Sequence, residues 1–242
     1  MNTKIKLVAF DMAGTTVRDE HEVESCFRQA AQQTGLEMSD AETLAVQGWA
    51  KRFVFETFWE RQIGQRDERW LQQVDQSYLL FTQILENHYL TQPVVPTEGA
   101  LEVFAYLREK NIKIALTTGF YRKVTDIILD RLGWLNGLDG NYVNTGGSTI
   151  DCSISSDQVD KGRPAPDMIF RAMTLLNVES VEQVIAVGDT PSDIQAGHNA
   201  QLKHSLAVAN GTHSVALLTP HHPTEMLDTV RYLIDYIKKY QL

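Results

Sequence analysis

Leu7-Val8-Ala9-Phe10 is an unbroken apolar run that stops at Asp11 and is followed by Met12-Ala13-Gly14-Thr15-Thr16-Val17. A short run without alternation suits a strand covered on both faces, the kind found in parallel sheets flanked by helices. Such sheets collect their chemistry at the carboxyl ends of the strands, which is where Asp11 falls. Gly14 permits a sharp turn there. The hydroxyls and N–H groups of Thr15 and Thr16 can then point back at an anion held beside Asp11. We read Asp11 as a nucleophile; an aspartate that merely caps a following helix is the plainer alternative.

After this opening the hydrophobic period changes from strand to helix and stays helical for many residues. Val23, Phe27, Ala30, Ala31 and Thr34 share one helical face that Gly35 ends, and a second helix is expected over Asp40–Ile63 with Ser39 or Asp40 as its cap. A third carries Trp70, Val74, Tyr78, Phe81, Leu85 and His88 at helical spacing. Three antiparallel helices of this kind make a bundle, with Phe53, Phe55, Phe58, Trp59 and Trp70 in its core or against the main domain. Pro93 and Pro96 then mark a hinge. We therefore expect a helical cap domain over 18–92 inserted into an α/β core domain formed by 1–17 and 93–242.

Beyond the hinge, helices and strands alternate: a helix over 97–110, a strand over 112–117, a helix over 121–132 and a short strand over 141–143. The Gly-, Ser- and Asp-rich stretch 144–160 resists assignment. A helix opens at Pro164-Ala165-Pro166-Asp167, a strand covers 184–187, a helix 191–199 and a strand 205–208. A terminal helix is expected to carry Leu227, Val230, Leu233, Ile234 and Ile237 on one face. Alternation of this kind predicts an α/β fold with a doubly wound, Rossmann-like parallel sheet.

Composition narrows the function classes. The 242 residues carry 31 acidic and 22 basic side chains, a formal charge of −9, which argues against nucleic acid or a membrane surface as partner. No stretch approaches the ~18 apolar residues of a membrane span. Met1-Asn2-Thr3-Lys4 runs straight into the first strand, so a cytoplasmic protein is expected. Cys26 and Cys152 show no metal spacing and are expected as free thiols. Asn210-Gly211-Thr212 reads as a turn, and His213, His221 and His222 as surface loop. His198 and His204 flank a helix end, where histidine is favoured.

Three of the expected strands end in polar tips: Asp11, Thr118-Gly119, and Gly188-Asp189 with Asp193 shortly after. A parallel sheet brings such tips to one edge. Asp11 and Asp189 would repel there unless a cation lay between them, which points to a hard divalent ion, Mg²⁺ first. Asp193 is either an anchor behind this site or a helix N-terminal charge. A metal, a carboxylate nucleophile, the Thr118 hydroxyl and the Arg163 guanidinium together suit phosphoryl chemistry. Lys161 is an alternative to Arg163 as the phosphate contact.

These motifs, in this order, resemble the haloacid dehalogenase superfamily of hydrolases. The first motif of that superfamily is normally Asp-x-Asp; here the third position is Ala13. In the superfamily's phosphatases the second aspartate protonates the leaving alkoxide, and alanine can offer only its backbone carbonyl to the metal. Asp-x-Ala-Gly-Thr-Thr instead resembles the phosphonoacetaldehyde hydrolase (phosphonatase) branch. There a cap lysine, with a glycine three residues before it, forms a Schiff base with the substrate aldehyde. Gly48-Trp49-Ala50-Lys51 matches that element, and Thr117-Thr118-Gly119-Phe120, Gly162-Arg163-Pro164 and Gly188-Asp189-Thr190-Pro191-Ser192-Asp193 look like the remaining motifs. The branch's histidine shortly after the lysine is absent, and Arg52, Phe53 and Val54 occupy its place.

The resemblance implies Asp11 and Lys51 as catalytic residues. Thr15, Thr118, Gly119 and Arg163 would bind substrate, and Asp11, the Ala13 carbonyl and Asp189 would hold Mg²⁺. An imine at Lys51 could accept the electrons released when a carbon–phosphorus bond breaks, which removes the need for the missing acid. Burial or a nearby cation such as Arg52 would keep that amine neutral. The plain alternative is a solvated lysine on a helix face. Three functions follow: cleavage of a small phosphonate, phosphomonoester hydrolysis with an unidentified proton donor, or non-catalytic binding of a phospho-ligand. The aromatic insert could also serve a homodimer contact.

Overall fold

The computed structural model describes residues 4–242; Met1-Asn2-Thr3, expected to lead into the first strand, lie outside the described residues. The strands are β1 (Leu7–Asp11), β2 (Lys113–Thr118), β3 (Cys152–Ser155), β4 (Val184–Gly188), β5 (His204–Val208) and β6 (Glu225–Leu227). They form one parallel sheet in the order β3-β2-β1-β4-β5-β6. The chain starts in the middle, winds outward to one edge and then to the other, as the doubly wound reading requires.

Burial on both faces explains the unbroken apolar runs. Val8 and Phe10 of β1 face a core shared with α5 (Ala100–Glu109), α6 (Arg122–Arg131) and α10 (Leu233–Tyr240). Leu7 and Ala9 face the opposite core, against α7 (Asp167–Leu175) and α8 (Pro191–Asn199). Side chains alternate across a strand, so both members of each pair must be apolar when helices cover both sides. A short helix, α9 (Val215–Leu218), precedes the last strand.

Four helices lie between β1 and α5: α1 (Glu22–Thr34), α2 (Asp40–Ala45), α3 (Lys51–Ile63) and α4 (Glu68–Thr91). Their centre is aromatic. Phe27 and Phe81 stack at 4.3 Å, and Phe55 stands 5.4 and 5.5 Å from them. Trp59 donates its indole N–H to Ser77 at 2.8 Å, and Ser77 donates to Thr34 at 2.8 Å, tying α3, α4 and α1 together. Phe53 lies outside the bundle core, 47% exposed and bordering a cavity with Tyr121 and Asp157 of the core domain.

Three sequence expectations need correction. The helix expected over 40–63 is two helices, because the chain turns through Val46–Ala50 with Gly48 at φ +84°. That break makes Lys51 the first residue of α3 instead of a mid-helix residue. The strand expected over 141–143 is absent; Tyr142 adopts φ +61°, which no strand tolerates, and Val143 makes one isolated bridge to Cys152. The edge strand is Cys152–Ser155, in the stretch that composition left unassigned. Finally, Leu227 ends β6, and the terminal helix begins only at Leu233. Three residues of strand are too few to show a period of two.

Truncating Phe81 to alanine should remove the centre of the aromatic cluster and lower stability by about 3–5 kcal/mol. Urea unfolding followed by tryptophan fluorescence checks this, and a loss under about 1 kcal/mol would show that the insert is held by something else.

Candidate active site

The tips of β1, β2 and β4 meet where the strand order diverges, the crevice in which open parallel sheets bind ligands. Asp11 closes β1 and is 5% exposed. Arg163, equally buried, donates from Nη2 to Asp11 Oδ1 at 2.6 Å and pairs through Nη1 with Asp193 Oδ1. Asp193 Oδ2 accepts from the N–H and hydroxyl of Thr190 at 3.0 and 2.6 Å, completing the N-terminal cap of α8. It fills both roles the sequence left open, helix-terminal acid and anchor of the buried cation. Lys161 is exposed, so Arg163 is the cation at the site.

Asp189 follows β4 directly and is fully buried. Thr15 donates its hydroxyl to Asp189 Oδ1 at 3.0 Å, and the Thr212 N–H donates to Oδ2 at 2.6 Å. This corrects the expected use of the first turn. The hydroxyl of Thr15 orients a carboxylate, that of Thr16 bonds the Asp11 carbonyl at 2.9 Å, and the N–H groups of Thr15, Thr16 and Val17 all go to the Met12 carbonyl. The donors that were to hold an anion are spent on the turn itself.

Asp11, Asp189 and Asp193 each offer a carboxylate oxygen, and the three atoms lie within 4.8 Å of one another. Burial raises the Asp11 carboxyl to about 6, the Arg163 guanidinium opposing and Asp189 adding to the rise. Burial also raises Asp189, against the hydrogen bonds from Thr212 and Thr15. Three buried acids around one guanidinium leave negative charge uncompensated, and this oxygen donor set fits a hard divalent cation.

Lys51 approaches the same point from the insert. It is 4% exposed, with Nζ 5.5 Å from the Phe27 ring centre and 5.2 Å from that of Phe120. Burial, then the positive charge of Arg163, brings its amine down to about 8, while Asp11, Asp19 and Asp189 resist. Arg52 is not the helper expected: it pairs with Glu56 at 3.1 Å and Asp75 at 2.6 Å and lies over the Tyr78 ring.

Asp11, Ala13, Lys51, Thr118, Gly119 and Arg163 line one small chamber of about 20 Å³, room for roughly one water, and Lys51 and Arg163 also border an open cavity of about 900 Å³ beside α3. Thr118 accepts from the Phe120 N–H at 3.1 Å, which leaves its hydroxyl proton free to donate inward. Beside the chamber the insert meets the sheet through backbone contact. A Cβ added to Gly119 would lie 2.5 Å from the Gly48 carbonyl oxygen and 2.6 Å from that of Trp49, so only glycine lets the insert's loop rest on the tip of β2.

Sequence reasoning missed Asp19, which lines the same chamber, and the segment carrying Thr212. It read Asn210-Gly211-Thr212 as a plain turn, although that turn follows a strand end, where site residues gather. His213, expected on the surface, is 2% exposed between α2 and the loop after β4. Burial lowers its pKa, and the Leu44 and Asp189 carbonyls oppose this. Among the described residues no histidine or cysteine joins the acidic cluster, and both cysteines are buried free thiols. No described helix is long and apolar enough to cross a membrane.

Residues 5–201 match the haloacid dehalogenase-like hydrolase family. The chain is 31% identical to a phosphonoacetaldehyde hydrolase of Parabacteroides distasonis over 88% of its own length and 80% of the relative's. It is 30% identical to one of Bacillus cereus over 94% and 83% respectively. Among solved structures, a phosphonoacetaldehyde hydrolase-like protein of Oleispira antarctica superposes with a TM-score of 0.77 at 20% identity, covering 99% of this chain and 93% of the other. A β-phosphoglucomutase-like protein of Bacteroides vulgatus gives 0.75 at 16%, covering 98% and 89%. At these identities the solved structures establish the shared fold.

Replacing Gly119 by alanine should hold the insert off the sheet while both parts stay folded. The expected readouts are red-shifted Trp49 fluorescence and an increased radius of gyration in X-ray scattering. Unchanged values in both would show that Gly119 does not set the closure.

Proposed function

The chain belongs to the haloacid dehalogenase-like hydrolase family, and from that premise we propose that it hydrolyses the carbon–phosphorus bond of a small aldehyde phosphonate, phosphonoacetaldehyde or a close relative. The observation that carries this reading is the buried amine of Lys51 in one chamber with Asp11. An isolated buried ammonium is costly, and an amine brought down to about 8 has a sizeable neutral minority, roughly a fifth, near physiological pH, far more than an ordinary lysine. That is the state an amine needs to attack a carbonyl.

Lys51 Nζ adds to the aldehyde carbon and, with loss of water, forms an imine. Asp11, ionised at neutral pH, attacks phosphorus. Arg163 and the Thr118 hydroxyl hold phosphoryl oxygens, and Arg163 also keeps the Asp11 carboxylate in line. The electrons of the carbon–phosphorus bond pass into the imine, protonated on nitrogen, which becomes a neutral enamine, so no acid is needed at the departing carbon in that step. The methyl of Ala13 therefore suffices where phosphatases carry a second carboxylate. Mg²⁺ held by Asp11, Asp189 and the Ala13 carbonyl would offset the repulsion between carboxylate nucleophile and phosphoryl anion. Water then hydrolyses the aspartyl phosphate, the enamine carbon takes up a proton to restore the imine, and the imine at Lys51 hydrolyses to release acetaldehyde.

The open cavity beside α3 leads a substrate to Lys51 and Arg163, and because the chamber at Asp11 holds about one water, seating the phosphoryl group there would need the insert to lift from the sheet and close again. Closing puts Lys51 into its apolar surroundings. Substrate binding and activation of the amine are thus one event.

Borohydride added to enzyme and phosphonoacetaldehyde should attach a two-carbon unit to Lys51, located by peptide mapping. Trapping should rise with pH and reach half its maximum near 8, about two units below an ordinary lysine, since the amine is neutral only above its pKa. Lys51→Ala should abolish acetaldehyde formation, and Asp11→Asn should abolish phosphate release. Absence of an adduct, with ester turnover that survives Lys51→Ala but not Asp11→Asn, would make the protein a phosphomonoesterase.

A further inference from the structure

The chamber contains a carboxyl group that the steps above leave unused. Asp19 lies where the chain passes from the sheet into α1, and it lines the chamber together with Asp11, Lys51 and Arg163. Its Oδ1 is shut off from solvent, and no donor reaches it. Its Oδ2 accepts one bond, from the Thr212 hydroxyl at 3.3 Å. The Thr212 N–H goes to Asp189, so Thr212 stands between Asp19 and the carboxylate on the metal side.

The groups around Asp19 are mostly acidic or apolar. Glu22 abuts it from the first turn of α1, Asp189 faces it from beyond β4, and Cys26 and Tyr89 are the neighbours on α1 and α4. Lys51 is the cation whose charge it feels. Two carboxyls set side by side can share a hydrogen bond only when one of them carries a proton. Burial, and then Glu22, accordingly raise Asp19 to about 8, so the free acid is the dominant form at neutral pH. A protonated carboxyl lining a reaction chamber is a proton in position.

Building on the imine reading, we infer that Asp19 is the acid that protonates the departing carbon, the function for which neither Ala13 nor a cap histidine is available. After carbon–phosphorus cleavage the two-carbon unit is an enamine on Lys51. The carbon–carbon double-bond pair forms the new C–H bond with the Asp19 proton, and the nitrogen lone pair restores C=N, leaving Asp19 as carboxylate. Water then adds to that imine carbon, acetaldehyde departs, Lys51 returns as amine, and the proton released goes back to Asp19. Atoms and charge balance with water as the sole co-reactant. Asp19 also belongs to the segment joining sheet and insert, so it reaches the chamber in the closed arrangement that buries Lys51.

Asp19→Asn keeps the shape and removes the proton. Acetaldehyde formation should fall at least 100-fold, and Asp19→Glu should recover a tenfold or greater part of the loss. Acetyl phosphate provides the comparison, because acetate leaves phosphorus without needing a proton when Asp11 attacks: the loss on phosphonoacetaldehyde should exceed the loss on acetyl phosphate at least tenfold. Borohydride should still label Lys51 in Asp19→Asn, with labelled enzyme accumulating while acetaldehyde lags behind phosphate. Equal losses on both substrates, or acetaldehyde formation within about threefold of wild type, would overturn the assignment. A wild-type enzyme that never labels at Lys51 overturns the imine reading first and this role with it.

Discussion

One buried guanidinium holds the carboxyl edge of the sheet together. Arg163 bridges Asp11 at the end of β1 and Asp193 at the start of α8, and both acids are almost solvent-free. Removing one partner of such a contact would strand a charge in a low-dielectric interior, which costs several kcal/mol. The contact therefore fixes Asp11, the proposed nucleophile, relative to the helix after β4. Asp189 lies on the same loop and its charge is met by hydrogen bonds alone, from Thr15 and Thr212. Three carboxylates against one guanidinium leave the edge short of two positive charges, which suits a divalent ion.

Lys51 is governed by the opposite constraint. Its amine lies among aromatic rings, and the charged form is penalised by burial and by Arg163. Those surroundings come from both parts of the molecule: Phe27 belongs to the insert and Phe120 to the loop after β2. Neither part alone would depress the amine as far. The close approach of Gly48 and Trp49 to Gly119 is what brings them together, so a glycine without side-chain chemistry sets the reactivity of a lysine in another segment.

The sheet was readable because burial on both faces writes itself into a strand as an unbroken apolar run, and Leu7–Phe10 and Val184–Val187 are such runs. β3 and β6 were not, since strands of four and three residues at opposite edges carry too little apolar sequence to stand out. Asp11, Lys51, Thr118, Arg163 and Asp189 could be picked out from strand ends and motif spacing, and they do converge. Arg52 and the hydroxyls of Thr15 and Thr16 were given the wrong partners, because residue type shows what a side chain can bond and not which neighbour reaches it first. Asp19 was invisible for a related reason. Its carboxyl matters through Glu22 and Asp189, and the latter is distant in sequence.

The loss of a carboxylate at Ala13 and the gain of one at Asp19 concern different moments of a reaction. An acid two residues after the nucleophile protonates an oxygen while its bond to phosphorus breaks, and it must act in the same step. A carbon leaving group has no lone pair to protonate before cleavage, so an acid there would have nothing to do until the electrons had moved. When an imine takes those electrons, protonation is deferred to a second step, at a carbon farther from phosphorus and nearer the amine. A proton carried on the segment that leads into the insert, beside Lys51, meets that requirement, whereas one at position 13 would sit against the metal-binding carboxylates.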